Sequence, residues 1–231
     1  MLRPLIAMLR PLGLCRLCAL PCGSPLCDAC AARHLHGETP RCERCARDLP
    51  HARAPCGGCL LAPPAISRCV TLADYAPPLD RLVASLKFGA EPAVGRWLGS
   101  LLAQAWRAQG VGRPAMVMPV PLSPQRLRQR GYNQAWEIAR GFARALHAPA
   151  RSTLLRRPRD TAPQSSLPLA RRAANLHAAF VAPAPLRGLR VVLVDDVMTS
   201  GCTLDAAARA LLRAGAAEVR AAVAFRTPPP H

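Results

Sequence analysis

The chain has 231 residues, 51% of them hydrophobic and 4% aromatic, with 31 basic side chains against 13 acidic ones for a formal charge of +18. This composition excludes an intrinsically disordered chain, and no apolar run reaches the roughly 18 residues a membrane helix needs. So large an excess of positive charge calls for a polyanionic partner, nucleic acid or a phosphorylated metabolite, although GC-rich coding also enriches arginine: Lys87 is the only lysine.

The opening segment MLRPLIAMLRPLGL is apolar but broken by Arg3, Pro4, Arg10 and Pro11, and it lacks the core and cleavage site of a secretory leader. A cytoplasmic protein is expected. Nine of the eleven cysteines then crowd between positions 15 and 59. In a reducing compartment such spacing reads as metal binding rather than disulfides. Cys15/Cys18, Cys27/Cys30, Cys42/Cys45 and Cys56/Cys59 form four C-x-x-C knuckles, and any two make a closed, tetrahedral four-thiolate zinc site. Two structural zinc ions are expected. The spacing permits pairing in sequence, or a cross-braced pairing of the first knuckle with the third and the second with the fourth. Cys22 or Cys69 could stand in as a ligand. Residues 1–64 hold no aromatic side chain, so this segment needs its metals to fold. Its eight Arg and four acids are balanced by two dianionic zinc sites, which places the excess positive charge in the rest of the chain.

Ala62-Pro63-Pro64-Ala65 marks a boundary between a first domain, 1–64, and a second, 65–231. In the second, residues 68–75 alternate as a strand, 79–88 and 93–109 have helical period, and 115–120 read as a buried strand ending at proline. Helices are expected over 132–147 and 168–178, with a strand-like STLLRR at 152–157 between them. A strand at 190–194, a helix at 202–214 and a strand at 219–225 complete the pattern. Strands alternating with helices predict an α/β domain with a mainly parallel sheet.

The richest stretch is Val191-Val192-Leu193-Val194-Asp195-Asp196-Val197-Met198-Thr199-Ser200-Gly201-Cys202-Thr203. A branched apolar strand carries two carboxylates at its C-terminal end, and a short hydroxyl-bearing loop leads into a helix. Ligands of open α/β sheets bind at that end. The loop amides and helix N-terminus suit a phosphate, with the Thr199, Ser200 and Thr203 hydroxyls as added donors. Two adjacent carboxylates suit sugar hydroxyls or Mg²⁺ instead.

This stretch resembles the 5-phosphoribosyl-1-pyrophosphate (PRPP) motif of type I phosphoribosyltransferases. The resemblance implies that Asp195 and Asp196 hold the ribose 2′ and 3′ hydroxyls, that Thr199, Ser200, Gly201, Cys202 and Thr203 grip the 5-phosphate, and that Mg²⁺ enters with PRPP. Thr199 stands where purine-salvage members carry an Asp acting near the base, which argues against purine salvage. Pro119-Val120-Pro121 with Arg126-Leu127-Arg128-Gln129-Arg130-Gly131-Tyr132-Asn133-Gln134 resembles the pyrophosphate-side loop and R-G-Y/F-N-Q signature of the ComF family. Thr161, Gln164, Arg171, Arg172, Asn175 and Ala179-Phe180 resemble the mobile catalytic loop of amidophosphoribosyltransferase relatives, which implies a catalytic role for Arg171. With an N-terminal double zinc ribbon, these features are similar to ComF-family proteins along nearly the whole chain. The implied fold is a type I phosphoribosyltransferase-like sheet flanked by helices.

Residues 113–172 contain twelve Arg against Glu137 and Asp160, more positive charge than one PRPP needs. The surplus points to a second polyanion, and Arg126, Arg128 and Arg130 are its candidate contacts on the pyrophosphate side. Tyr132, Trp136 and Phe142 could stack on bases, but their helical spacing favours core packing. Two readings compete. In one, the protein is an Mg²⁺-dependent transferase displacing pyrophosphate from PRPP, with no acceptor named by the sequence. In the other, favoured here, it serves DNA uptake and natural transformation, as the ComF resemblance implies. It would then retain PRPP binding, bind single-stranded DNA, and work with helicase and recombination-mediator partners.

Overall fold

The computed structural model describes residues 13–35, 39–50, 54–89, 91–158 and 179–228. Four strands, β3 (Cys69–Asp74), β4 (Met116–Pro119), β5 (Arg190–Met198) and β6 (Glu218–Arg226), form a parallel sheet in the order β3-β6-β5-β4. Alternation along β5 shows why the sheet is covered on both faces. Val192 and Val194 join the core under α4 (Pro92–Ala108) and α6 (Gln134–Leu146), with Leu98, Leu102, Ile138 and Phe142. Val191 and Leu193 face the other way, onto α7 (Cys202–Arg213) through Leu204, Ala207 and Leu211. The architecture is therefore a helix–sheet–helix sandwich with β5 central and its C-terminal end shared by both layers.

The helical layer is set by a close backbone approach. A Cβ on Gly99 would stand 2.1 Å from the Ile138 carbonyl oxygen, and one on Gly141 would stand 2.0 Å from that of Arg96. Only glycine fits at either place. Trp106 and Phe142 meet edge to face beside this crossing, with ring centroids 5.4 Å apart. The short α3 (Asp80–Phe88) packs on the same layer through Leu82, Val83 and Leu86. Among the described residues, no helix is long and apolar enough to cross a membrane.

The cysteine-rich segment folds into β1 (Gly13–Leu14) paired with β2 (Pro21–Cys22), then α1 (Asp28–His34) and α2 (Gly57–Leu61). Its two halves straddle the edge strand β3. Cys15 and Leu26 join the core on the α4 side, whereas Cys42, Cys45 and Cys59 join that on the α7 side. The Cys69 amide donates to the Glu43 carbonyl at 2.7 Å, so the second half also covers an edge that would otherwise invite pairing. Arg41 bridges Asp48 at 3.0 Å and Asp74 at 2.8 Å, and Arg16 pairs with Glu91 at 2.6 Å.

Two expectations need correction. The stretch following β4 is not a loop throughout: Pro124–Arg130 forms a helix, α5, with Ser123 accepting the Arg126 amide and Gly131 closing it at φ 74°. Residues 152–157 form no strand; Arg156 makes only an isolated bridge to Val181. The helix expected at 168–178, like Arg171 and most of the mobile-loop motif, lies outside the described residues.

Candidate functional site

The four knuckles pair in sequence, which decides against the cross-braced alternative. Cys15, Cys18, Cys27 and Cys30 bring their sulfurs within 4.8 Å of one another, and so do Cys42, Cys45, Cys56 and Cys59. The two groups repeat one geometry. Cys18 and Cys27 sulfurs are 3.7 Å apart, as are Cys45 and Cys56 sulfurs. A tetrahedron of thiolates about 2.3 Å from zinc has an edge of about 3.8 Å, so each group can hold a zinc ion. In each, the first knuckle ends in a left-handed alanine, Ala19 at φ 59° and Ala46 at φ 54°. The second knuckle opens a helix, with Cys27 and Cys56 as N-caps. Their amides donate to Cys15 Sγ at 3.4 Å and Cys42 Sγ at 3.2 Å.

Burial pushes the Cys15 thiol up, but the amides of Cys18, Cys27 and Leu17 outweigh it and draw the pKa down to about 6. The same balance at Cys42, with the amides of Cys56, Cys45 and Arg44, gives about 7. Thus each cluster stabilises a thiolate, the form that binds metal. Neither spare cysteine belongs to a cluster: Cys22 Sγ donates to the Ser24 carbonyl at 2.9 Å, and Cys69 Sγ lies 3.9 Å from Met198 Sδ. Burial pushes Cys69 up to about 12.

At the other site, β5 runs through the acid pair to Met198. Each carboxylate is fixed by the next amide: Asp195 Oδ1 accepts from Asp196 N and Asp196 Oδ1 from Val197 N, both at 2.9 Å. Burial raises the Asp195 pKa well above the usual carboxylate range, and the Asp196 charge adds to the rise. Lys87 Nζ lies 3.2 Å from Asp196 Oδ2. After Met198, Thr199 and Ser200 are exposed, Ser200 Oγ accepts the Cys202 amide at 3.4 Å, and Gly201 at φ 83° caps α7. First-turn amides of a helix have no intrahelical acceptor, so the start of α7 leaves donors next to the acids that could take an anion.

Helix α5 leads away from the C-terminal end of β4 with Arg126 and Arg128 exposed, while Arg130 is partly buried. Desolvation lowers the Arg130 pKa, and the charges of Asp196 and Asp195 act against that fall. Arg130 is thus within electrostatic reach of the acid pair. The next residues serve as anchors. Tyr132 hydroxyl donates to the Leu86 carbonyl, Asn133 Nδ2 donates to the Val120 carbonyl at 3.0 Å, and Asn133 Oδ1 caps α6 through Ala135 N at 3.0 Å. Phe142 is fully buried, as core packing requires.

Sequence reasoning missed two residues that the structure brings to this end of the sheet. Lys87 had a signal, since it is the sole lysine. Arg226 had none: its guanidinium is buried and donates to the carbonyls of Cys45 at 2.9 Å, Met198 at 3.1 Å, Thr227 at 2.6 Å, and Thr199. It ties the second cysteine cluster to the start of the loop. A cleft of about 600 Å³ opens between these same parts, lined by Cys59, Pro64, Ser200, Gly201, Cys202 and Arg209 among others. The acid pair is not in its lining.

A phosphoribosyl transferase domain model matches residues 145–229, which include β5, the loop and α7. The chain is 37% identical over 227 residues, 95% of its length, to the whole of the DNA utilization protein YhgH of Escherichia coli strain K12. It is 32% identical over 202 residues to Competence protein F of Haemophilus influenzae, covering 84% of this chain and 87% of that one. Similarity to Competence protein ComFC of Bacillus subtilis is 33% over 102 residues, 44% of this chain and 40% of the other.

Proposed function

The chain belongs to the ComF family, and on that premise we propose that it acts in DNA uptake, holding a phosphoribosyl ligand at the end of β5 and single-stranded DNA along α5. What carries this reading is one meeting place: the acid pair, the N-terminus of α7 and the arginine helix α5 converge at the C-terminal end of the sheet. The names of the relatives, DNA utilization and competence proteins, support the process. In this reading residues 1–64 are the zinc-held domain and 65–231 the ligand-binding one, and the protein works in the cytoplasm with helicase and recombination-mediator partners.

Each part has a role set by its chemistry. Asp195 and Asp196 accept hydrogen bonds from the ribose 2′ and 3′ hydroxyls, and their oxygens are the hard donors Mg²⁺ takes. Mg²⁺ would neutralise the diphosphate of bound PRPP. The loop from Thr199 to Thr203 and the α7 amides hold the 5-phosphate. Arg130 faces both the acids and the diphosphate, and Arg171, outside the described residues, is proposed as the catalytic cation. Arg126 and Arg128, exposed on α5, take DNA phosphates.

The test is binding of a labelled single-stranded oligonucleotide across a salt series. Affinity should fall with a slope of about −0.7 per phosphate neutralised, and Arg126→Ala with Arg128→Ala and Arg130→Ala should flatten it by roughly two phosphates. Asp195→Ala with Asp196→Ala should leave the slope alone while removing PRPP binding. Binding that disappears by about 150 mM salt, or that ignores the triple change, would defeat the DNA reading. The fixed acid pair favours a second reading, turnover of PRPP on an acceptor, which pyrophosphate release over candidate acceptors would reveal.

A further inference from the structure

Thirty of the 31 basic side chains are arginine, and the single lysine stands at the acid pair. Arginine and lysine differ in ways that bear on this place. A guanidinium is a planar fork that grips a carboxylate bidentately, whereas an ammonium is a compact charge with three rotatable donors that can change partners. In a chain that uses arginine everywhere else, an ammonium here marks a contact built to be exchanged.

The surroundings hold the backbone of Lys87 and leave its charge movable. Leu86 is fully buried, its carbonyl accepts the Tyr132 hydroxyl, and Gly89 N–H closes α3 on the Ser85 carbonyl at 2.9 Å. The Lys87 side chain is 24% exposed, and its partner Asp196 is 14% exposed. Among the described residues, four ionisable groups define the site: Asp195 and Asp196, with Lys87 and Arg130. Among the described residues, Asp196 Oδ2 has no hydrogen-bond partner beyond its 3.2 Å approach to the ammonium.

Resting on the phosphoribosyl reading above, we infer that Lys87 is the resident counter-ion of the acid pair, standing against Asp196 where a divalent cation would bind until a diphosphate-bearing sugar draws the ammonium away. The sugar's diphosphate sits on C1, next to the carbon whose hydroxyl meets the carboxylates. The ammonium therefore passes from carboxylate to phosphate by side-chain rotation, with no bond made or broken. Two consequences follow from that exchange. The divalent cation enters with the ligand rather than before it, and Lys87 discriminates a diphosphate-bearing sugar from one with only a 5-phosphate.

The test uses the full zinc-loaded chain and Lys87→Met, which keeps the aliphatic stem and removes the charge. In Mg²⁺ alone, the melting temperature of the parent should stay put through millimolar concentrations, whereas that of the Met variant should rise saturably, because the acids now need a cation. By calorimetry with Mg²⁺ present, Lys87→Met should lose about 10- to 100-fold in PRPP affinity and less than about 3-fold for ribose 5-phosphate. Lys87→Arg should block the Mg²⁺ response yet fail to restore full PRPP affinity. Equal Mg²⁺ responses in parent and Met variant, or equal losses for both sugars, would show an ordinary structural ion pair and overturn the inference. If the parent binds no PRPP, the phosphoribosyl reading falls, and the Mg²⁺ comparison still decides the role of Lys87 by itself.

Discussion

The second cysteine cluster and the acid pair are both clusters of ionisable groups in a chain of net charge +18, and both adjoin the C-terminal end of β5. They are built in opposite ways. Around Cys42, Cys45, Cys56 and Cys59 the sulfurs face one another, the Cys56 amide points at the Cys42 sulfur, and the site closes on itself. Around Asp195 and Asp196 each partly buried carboxylate is held by the next backbone amide, and the charge nearest them belongs to a lysine able to leave. A closed anionic site holds one cation permanently and turns its affinity into folding free energy. An open one keeps part of its repulsion in the empty state, relieved on one side by the lysine, and loses more of it when ligand arrives. Arg226 joins the two, since its buried guanidinium bonds to Cys45 on one side and to Met198 and Thr199 on the other.

The largest expected effect separates the clusters from the pair. Elemental analysis of reduced protein should find two zinc ions per chain, and strong chelation should unfold the segment that has no aromatic core of its own. Within the module, Cys42→Ser should cost more than Cys18→Ser, because Cys42 is fully buried against the α7-side core and Cys18 is exposed. A loss of roughly 4 kcal/mol for Cys42→Ser would lower the melting temperature by about 8–16 °C in a chain this size. PRPP binding should fall with it, while Cys18→Ser leaves that binding within about 3-fold, since among the described residues the first cluster has no bond to the loop. Equal effects on PRPP from both variants would erase the proposed asymmetry.

Cutting the connection should cost less. Arg226→Met removes a buried guanidinium and leaves the carbonyls of Cys45, Met198, Thr199 and Thr227 without that donor. About 3 kcal/mol of stability should be lost, roughly 6–12 °C in melting temperature. Zinc content should stay at two, and the fall in PRPP affinity should exceed that of an equally destabilising core change such as Leu211→Ala. A loss matched by that control would make Arg226 a packing residue alone.

What the residue pattern reveals and what it hides divides along the same line. The buried strands and the long helices are legible because their apolar residues repeat with period 2 or 3.6, and α4 and α6 fall within two residues of expectation. The cysteines are legible through spacing and the acid pair through its place after a branched apolar run. Helix α5 escapes because PQRLRQR buries nothing, leaving only the Ser123 cap, Pro124 and Gly131 to announce it. The pairing of knuckles is a matter of which turns meet in space. Arg226 ends β6 as one more arginine among thirty, and only the tertiary fold brings Cys45 and Thr199 to it.

The smallest expected effect is a gain. Burial and the neighbouring Asp196 charge raise the Asp195 pKa, so ionised Asp195 costs the folded state free energy that the unfolded chain does not bear. That cost is absent below the unfolded carboxylate pKa of about 4 and grows as pH rises past it toward the folded value. Asp195→Asn removes the charge while its side-chain oxygen can still accept the Asp196 amide. At pH 7 the variant should therefore melt a few degrees above the parent, equivalent to roughly 1 kcal/mol, and the two should converge near pH 4. PRPP affinity should drop at the same time, which is the trade-off of a site kept open for exchange. A variant less stable than the parent at pH 7 would mean that the pair is structurally satisfied and belongs with the cysteine clusters rather than opposite them.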